Sequence, residues 1–343
     1  MIIPVFILFG VIASLFIFEK ENAPLNPFAL LCVFASMVLI CTFRDINMPD
    51  SINYIDDFSG FMVNERFEIG YTIIRDAVKA IGANYRVLFF AVALVSIFIK
   101  LNAIVRISPY VYGSLLVYLS YFFILHDMIQ IRAGLAVGFL FFAIKYITER
   151  DLTRFIIAAT LASCCHLSSL VIFPLWFLPL IRFNKLVWVF LIPLCYFLVV
   201  VYGLTAGRII SYIPINQIQN LYIGYSHSLE QGNHDVINIF NMLLLGKVVV
   251  CTFLILYNDL IESRFSAFKP WLMIYTASLA IYIMFSDLPV VAIRISEFLQ
   301  TVELIIIPMF VFVFSDRFVG KIIVISISAV YLLGITFINE YLL

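Results

Sequence analysis

Charged side chains are scarce in this sequence, because Asp, Glu, Lys and Arg together make up 12% of its 343 residues. Soluble globular proteins carry about twice that share. Apolar residues account for 64% of the chain, and the mean hydropathy is +1.09. The formal net charge is zero, so neither nucleic acid nor an acidic surface is indicated as a partner. The composition argues against a soluble protein and predicts one that crosses a membrane several times.

Recognisable cysteine and histidine motifs are also missing. The six cysteines include no CxxC pair and lie in or beside apolar segments, which argues against a disulfide framework or a zinc site. His227, Glu230, His234 and Asp235 follow no metal-ligand spacing, so we expect neither a metal nor a cofactor. The apolar stretch 2–18 lacks a basic region and a cleavage site, and we interpret it as the first spanning helix rather than a signal peptide.

The sequence does contain a succession of long apolar runs. Most approach the roughly 20 residues that a helix needs to cross the hydrocarbon core. The runs occupy 2–18, 28–43, 86–105, 109–125, 131–147, 152–180, 185–203, 238–257, 270–286, 290–314 and 321–338. We therefore predict an all-α, polytopic integral membrane protein with about 11–12 transmembrane helices, folded as a single membrane domain over 1–343.

The run 152–180 is too long for one crossing and has His166 at its centre. If the chain turns there, most basic residues, including Lys100, Arg150 and Lys321, fall on one side of the membrane. A single crossing would instead move Lys321 to the opposite side. The positive-inside rule favours a hairpin or a strongly broken helix at His166, with both chain termini outside the cytoplasm.

This topology places two long loops, 44–85 and 204–237, on the extracytoplasmic side. Apolar residues three or four apart in the first loop predict an amphipathic helix, lying at the interface or covering the bundle; they are Phe67, Tyr71, Ile74, Val78 and Ile81. The second loop is rich in Tyr, Asn and Gln, which suit the hydroxyl groups and C–H faces of a sugar. An interfacial belt of tyrosines would explain part of the same composition.

Two arginines stand where apolar helices begin. Charges near membrane depth are costly and mark functional sites. A guanidinium matches phosphate oxygens with paired donors and keeps its charge, so we predict that Arg132 and Arg294 contact a phosphate group. The structural alternatives are ion pairs, Arg132 with Asp127 and Arg294 with Glu297.

A base is needed if the protein activates a hydroxyl group for attack. His166 can accept a proton near neutral pH, and it is our first candidate. Asp50 and Glu68 in the first loop compete for the role. The alternative for His166 is a core histidine that is hydrogen-bonded at a helix break.

Four groups of residues, in this order, resemble the signatures of the EpsG family of Wzy-type polysaccharide polymerases. They are the first-loop segments FRD at 43–45 and RFEIGY at 66–71 with Asp50, Tyr54 and Phe58 between them, IQIRAGLA at 129–136, CHLSS at 165–169, and RISEF at 294–298. The resemblance covers most of the chain, whereas loop 204–237 has no counterpart among these segments.

The resemblance implies a GT-C-like membrane glycosyltransferase of the hexosyltransferase type, inverting and metal-independent. Such an enzyme moves a growing O-antigen or exopolysaccharide chain from undecaprenyl diphosphate onto a lipid-linked repeat unit. It would lie in the bacterial inner membrane, with its site on the extracytoplasmic face. Its partners would be the undecaprenyl-diphosphate-linked oligosaccharide, the lipid bilayer and a chain-length regulator protein. An O-antigen-ligase-type transferase and a lipid-linked oligosaccharide flippase are the alternatives.

The resemblance also distributes roles among the candidate residues. The diphosphate of the donor or acceptor would be held by Arg132 and Arg294, with Arg44 assisting. The acceptor hydroxyl would lose its proton to His166, or failing it to Glu68 or Asp50. We assign glycan binding to Tyr54 in the first loop and to Tyr222 and Tyr225 in the second.

Overall fold

The computed structural model describes residues 2–22, 24–61, 68–212, 237–338 and 341–342. All regular secondary structure in these ranges is helical, as predicted. The helices are α1 (Ile2–Phe18), α2 (Pro27–Thr42), α3 (Ser51–Ser59), α4 (Ile69–Ala80), α5 (Tyr85–Ile107), α6 (Val111–Val117) continued by a π-helix (Tyr118–Ile129), α7 (Ile131–Glu149), α8 (Leu152–Cys165) followed by a 3₁₀-helix (Leu167–Leu180), α9 (Lys185–Tyr202), α10 (Ala206–Ser211), α11 (Met242–Leu256), α12 (Asn258–Glu262), α13 (Phe268–Met284), α14 (Pro289–Gln300), α15 (Glu303–Ile306) continued by a 3₁₀-helix (Ile307–Phe312), and α16 (Arg317–Phe337).

Most of these helices are apolar and match the predicted runs. In the described ranges, five are long and apolar enough to cross a membrane, and six more are apolar but shorter. The stretch 2–18 is helical, as predicted. One predicted run is wrong, because 290–314 is divided into α14, α15 and a 3₁₀-helix. Pro308 lies at the start of the 3₁₀-helix, and its ring and missing N–H disfavour a continuous α-helix at this point.

Short polar side chains fix where several apolar helices begin. Asn26 accepts hydrogen bonds from the N–H groups of Phe28 and Ala29 at the start of α2. Asn84 caps α5, and Asp316 caps α16, in the same way. These caps satisfy N–H groups that a helix start leaves without a partner.

The chain divides into two compact units, Met1–Trp176 with Glu303–Leu343, and Phe177–Val302. In the second unit, α9 packs against α11 and α13. Lys185 at the start of α9 donates to the carbonyl of Leu256 and pairs with Asp259 at 2.9 Å. The folding of residues 1–343 as a single domain stays a prediction.

The run 152–180 turns back on itself at His166. Helix α8 ends at Cys165, and His166 has extended backbone angles, φ −157° and ψ 126°. The 3₁₀-helix then returns beside α8, so that the Trp176 ring lies 5.1 Å from the Phe155 ring and 4.6 Å from the Arg150 guanidinium. The predicted break at His166 is therefore confirmed, and it forms a hairpin.

Close backbone packing holds α7 against its neighbours in the first unit. A Cβ atom added at Gly134 would overlap the carbonyl oxygen of His126 in the π-helix, and one at Gly138 would overlap Ile99 of α5. Only glycine permits both approaches without moving a neighbour. These contacts fix the start of α7, where Arg132 lies, against the π-helix.

Gly134→Ala is expected to lower the free energy of unfolding by about 1–3 kcal/mol, because the added methyl group would overlap the backbone carbonyl of His126. Gly334→Ala in α16 is the matched control, since nothing lies within 4 Å of the added Cβ. The control should be neutral or stabilising by about 0.5–1 kcal/mol. Thermal unfolding in detergent measures both, and equal melting temperatures would contradict the packing.

Candidate functional site

The Glu68 carboxylate joins two of the other predicted site residues. Its Oε1 lies 3.3 Å from Nδ1 of His166 and accepts a hydrogen bond of 3.0 Å from the N–H of Leu167. Its Oε2 accepts a hydrogen bond from Nη1 of Arg132. Glu68, Arg132 and His166 were singled out separately from the sequence, and the fold brings them into contact.

Gly70 explains how Glu68 reaches the hairpin turn. A Cβ at Gly70 would lie 2.7 Å from Sγ of Cys165 and 3.0 Å from the carbonyl oxygen of Cys164. The absence of a side chain therefore lets α4 rest on the last turn of α8. Glu68 directly precedes α4, so this packing places its carboxylate at the exposed backbone of the turn. The predicted amphipathic helix is present over Ile69–Ala80, with Tyr71 and Val78 buried.

Arg132 lies on the first turn of α7 and faces the first loop. Its Nε is 3.5 Å from the Tyr54 hydroxyl, and the Tyr54 ring lies 5.5 Å from the Tyr71 ring. The alternative pairing of Arg132 with Asp127 is wrong, because Asp127 pairs with Lys100.

Arg44 is the most deeply buried of the three candidate arginines, with 5% of its surface exposed. Its Nη1 donates to the carbonyl oxygen of Met128 at 2.7 Å, and its guanidinium lies 3.6 Å from the centre of the Phe89 ring. Its Nε and Nη2 have no hydrogen-bond partner in the part of the chain that the structure describes. Burial lowers the pKa of Arg44 to about 10, despite opposing contributions from nearby groups that include Tyr54.

Two further candidates, Asp50 and Arg294, are exposed. Asp50 is exposed, adopts a left-handed backbone conformation (φ 61°) and accepts a hydrogen bond from Asn53. Arg294 is exposed on α14 in the second unit. Tyr222 and Tyr225 lie outside the described residues. So do Arg66 and Phe67.

Electrostatics argue against Glu68 as the base. Burial raises the pKa of Glu68, but His166, Arg132 and the Leu167 N–H lower it more, to about 2. Glu68 is therefore ionised near neutral pH and binds a proton only weakly. His166, with 12% of its side chain exposed, lies in the same contact group through its 3.3 Å approach to Glu68.

One buried polar group was missed by the sequence reasoning. Lys100 was counted with the basic residues on one side of the membrane, yet it is fully buried inside the first unit. Both oxygens of Asp127 accept hydrogen bonds from its Nζ, at 2.5 and 2.6 Å. The sequence did contain a signal for this pair, because Lys100 lies inside an apolar run and a charge in such a run requires a partner or a function.

No cluster of three or more His, Cys, Asp or Glu side chains suited to a metal ion occurs among the described residues. The arrangement instead offers guanidinium groups, an ionised carboxylate and an imidazole. Such a group can bind an anion and accept a proton.

Fold and site together define a polytopic helical membrane protein with a polar cluster at the end of a helical hairpin. The chain matches the EpsG family over residues 28–341 and belongs to it. Membership indicates a polysaccharide-polymerase-like function and a glycosyltransferase-like activity in a membrane. No curated protein and no solved structure matches the chain. The GT-C-like architecture stays a prediction.

The low pKa of Glu68 predicts an acid-sensitive fold. The ionised carboxylate stabilises the folded state fully above pH 4.5, its ordinary pKa, and this stabilisation is lost as the pH falls toward 2. The loss should amount to at most about 3 kcal/mol. Thermal unfolding between pH 6 and pH 3 should show a smaller decrease for Glu68→Gln than for the native chain. Glu149→Gln, which removes an exposed partner of Lys145, is the control and should keep the native pH dependence. Identical profiles for Glu68→Gln and the native protein would contradict the ion-pair geometry.

Proposed function

We propose that this protein is a polysaccharide polymerase of the bacterial inner membrane. It transfers a growing O-antigen or exopolysaccharide chain from undecaprenyl diphosphate onto a lipid-linked repeat unit at the extracytoplasmic face. The observation that carries the proposal is the contact of Glu68 with both Arg132 and His166. Tyr54 connects this group to the buried Arg44, because it interacts electrostatically with both Arg132 and Arg44. Membership of the EpsG family supports the class of reaction.

Arg44 supplies the main contact to the diphosphate. Nε–H and Nη2–H of a guanidinium point in the same direction, and together they form the two-donor edge that binds phosphate oxygens side-on. These are the two donors of Arg44 without a protein partner in the described ranges, while Nη1 is used by Met128. Arg132 contributes positive charge at the same site, although Glu68 takes up part of its hydrogen-bonding capacity. The role of Arg294 in diphosphate binding rests on the sequence alone.

His166 acts as the general base. A proton on Nδ1 is directed at Glu68, which leaves the lone pair of Nε2 for an acceptor hydroxyl. The hydroxyl oxygen attacks the anomeric carbon of the donor while its proton passes to Nε2. The bond between that carbon and the diphosphate oxygen breaks, and the electron pair leaves with undecaprenyl diphosphate. The charge that develops on the leaving group is stabilised by the guanidinium groups.

The glycan-binding role of Tyr54 fits its position. Tyr54 is buried beside Tyr71, and its hydroxyl lies 3.5 Å from Nε of Arg132. Tyr222 and Tyr225 complete the proposed glycan contacts from loop 204–237, as the composition of that loop suggests.

Cells that carry His166→Ala, Arg132→Ala or Arg44→Ala are expected to make single repeat units but no long chains. Each variant removes the base or positive charge on which the transfer depends, and one such loss typically costs about 10²–10⁴-fold in rate. Arg44→Lys should restore only short chains, since an ammonium lacks the two-donor edge. Gel analysis of the polymer measures the chain-length distribution.

Arg154→Ala is the control for this experiment, because Arg154 is exposed, with a side-chain exposure of 65%, and pairs with Asp151, the N-cap residue of α8. It should give the native ladder. A native chain-length distribution in the His166 and Arg44 variants would contradict the proposed site. A single transfer event in place of a ladder in the native strain would favour a ligase. Repeat units trapped on the cytoplasmic face would favour a flippase.

The proposed sidedness predicts that a cysteine placed at Ser228 reacts with a membrane-impermeant maleimide added from outside. A cysteine at Ser263 should react only after the membrane is opened, because the two positions lie on opposite sides of α11 in the chain. Both are introduced into a chain without its six native cysteines. The opposite labelling pattern would reverse the orientation and place the site in the cytoplasm.

A further inference from the structure

The π-helix carries a buried ion pair that the proposed reaction does not use. Asp127 is 3% exposed and Lys100 is fully buried. Besides Lys100, Asp127 accepts hydrogen bonds from Ser96 at 2.6 Å and from the Tyr118 hydroxyl at 2.5 Å. Four short contacts from α5 and from the first turn of the π-helix therefore converge on one carboxylate.

Burying the Lys100–Asp127 ion pair carries a large desolvation cost. An ion pair buried in an apolar interior often contributes no more stability than a well-packed apolar pair of the same volume. Charges within membrane segments are rare and usually serve a function. Long π-helices are also rare, and short ones occur preferentially at functional sites. The coincidence of both features at Asp127 calls for a reason other than stability.

The residue after Asp127 supplies that reason. The carbonyl oxygen of Met128 accepts the hydrogen bond from Nη1 of Arg44. Asp127 is anchored to α5 by Lys100 and Ser96, so the peptide group that follows it has little freedom to move. On the other side, the His126 carbonyl lies against Gly134 of α7. The Met128 carbonyl is thus held at a fixed position between two helices.

We propose that Lys100 and Asp127 are positioning residues for Arg44, which they orient through the Met128 carbonyl. This inference rests on the proposed function, because it assumes that Arg44 binds the diphosphate. With Nη1 held by Met128 and the guanidinium plane held over Phe89, Nε and Nη2 are the donors left for an anion. If the Met128 carbonyl moved, the two-donor edge would rotate away from the phosphate.

A double-mutant cycle separates this positioning role from a contribution to stability. The variants are Lys100→Met with Asp127→Leu, Arg44→Lys, and the combination of all three, each in the full-length protein in cells. The measurement is the initial rate of polymer formation per membrane-inserted protein. Replacing both charges by apolar residues is expected to preserve the fold, because no unpaired charge remains buried.

The expected result is non-additivity. Lys100→Met with Asp127→Leu should lower the rate about tenfold in the native background but less than about twofold in the Arg44→Lys background. Equal factors in the two backgrounds would overturn the inference while leaving the proposed function intact. A native rate in Arg44→Lys itself would refute the diphosphate site, and the inference would fail with it.

Two further variants distinguish a loss of positioning from a loss of folding. Asp127→Glu keeps both charges but adds a methylene group, so it should fold normally and still lower the rate about threefold or more. A native rate in Asp127→Glu would overturn the inference. Lys321→Met removes another buried lysine of the same unit, which donates to the carbonyls of Ile17 and Glu19. It should leave the rate per folded protein unchanged.

Discussion

The site depends on the Glu68 carboxylate, which contacts both the Arg132 guanidinium and the His166 imidazole. Glu68 links the first loop to the start of α7 through Arg132 and to the hairpin turn through His166 and the Leu167 N–H. These segments are distant in sequence, and no other contact described at the site joins all three. Both pairs are partly buried, so removing Glu68 would leave the Arg132 charge with less compensation in a poorly solvated position. The same carboxylate thus stabilises the local fold and orients the imidazole.

This constraint changes the roles expected for the arginines. Arg132 was predicted to be a principal ligand of the diphosphate, but its Nη1 is already committed to Glu68. Arg44, given only an assisting role from the sequence, is the more buried residue and has two donors without a described protein partner. A buried guanidinium without a counter-ion is unfavourable in the unliganded protein. Binding of an anionic ligand would relieve that cost, which makes Arg44 the stronger candidate for the diphosphate contact.

Much of the architecture could be predicted because hydrophobic runs and helix breaks are local properties. The apolar helices, the amphipathic helix after Glu68 and the turn at His166 all follow from residues close together in the chain. Ion pairs between helices could not be predicted in this way, because they depend on which helices become neighbours in the fold. Lys100 and Asp127 lie 27 positions apart on separate elements, so their ion pair had no local signature. The division of 290–314 was missed because Pro308 was read within an otherwise continuous apolar run.

The central claim is that Arg44 binds the diphosphate of the lipid-linked donor, while His166 lies on the side of the donor's anomeric carbon from which the acceptor hydroxyl attacks. A cryo-electron microscopy structure of the full-length protein with an undecaprenyl-diphosphate-linked sugar tests it most directly. The account predicts phosphate oxygens within hydrogen-bond distance of Nε and Nη2 of Arg44, with the anomeric carbon facing the side of the site where His166 lies. A diphosphate bound away from Arg44, with His166 still enclosed by protein, would contradict it.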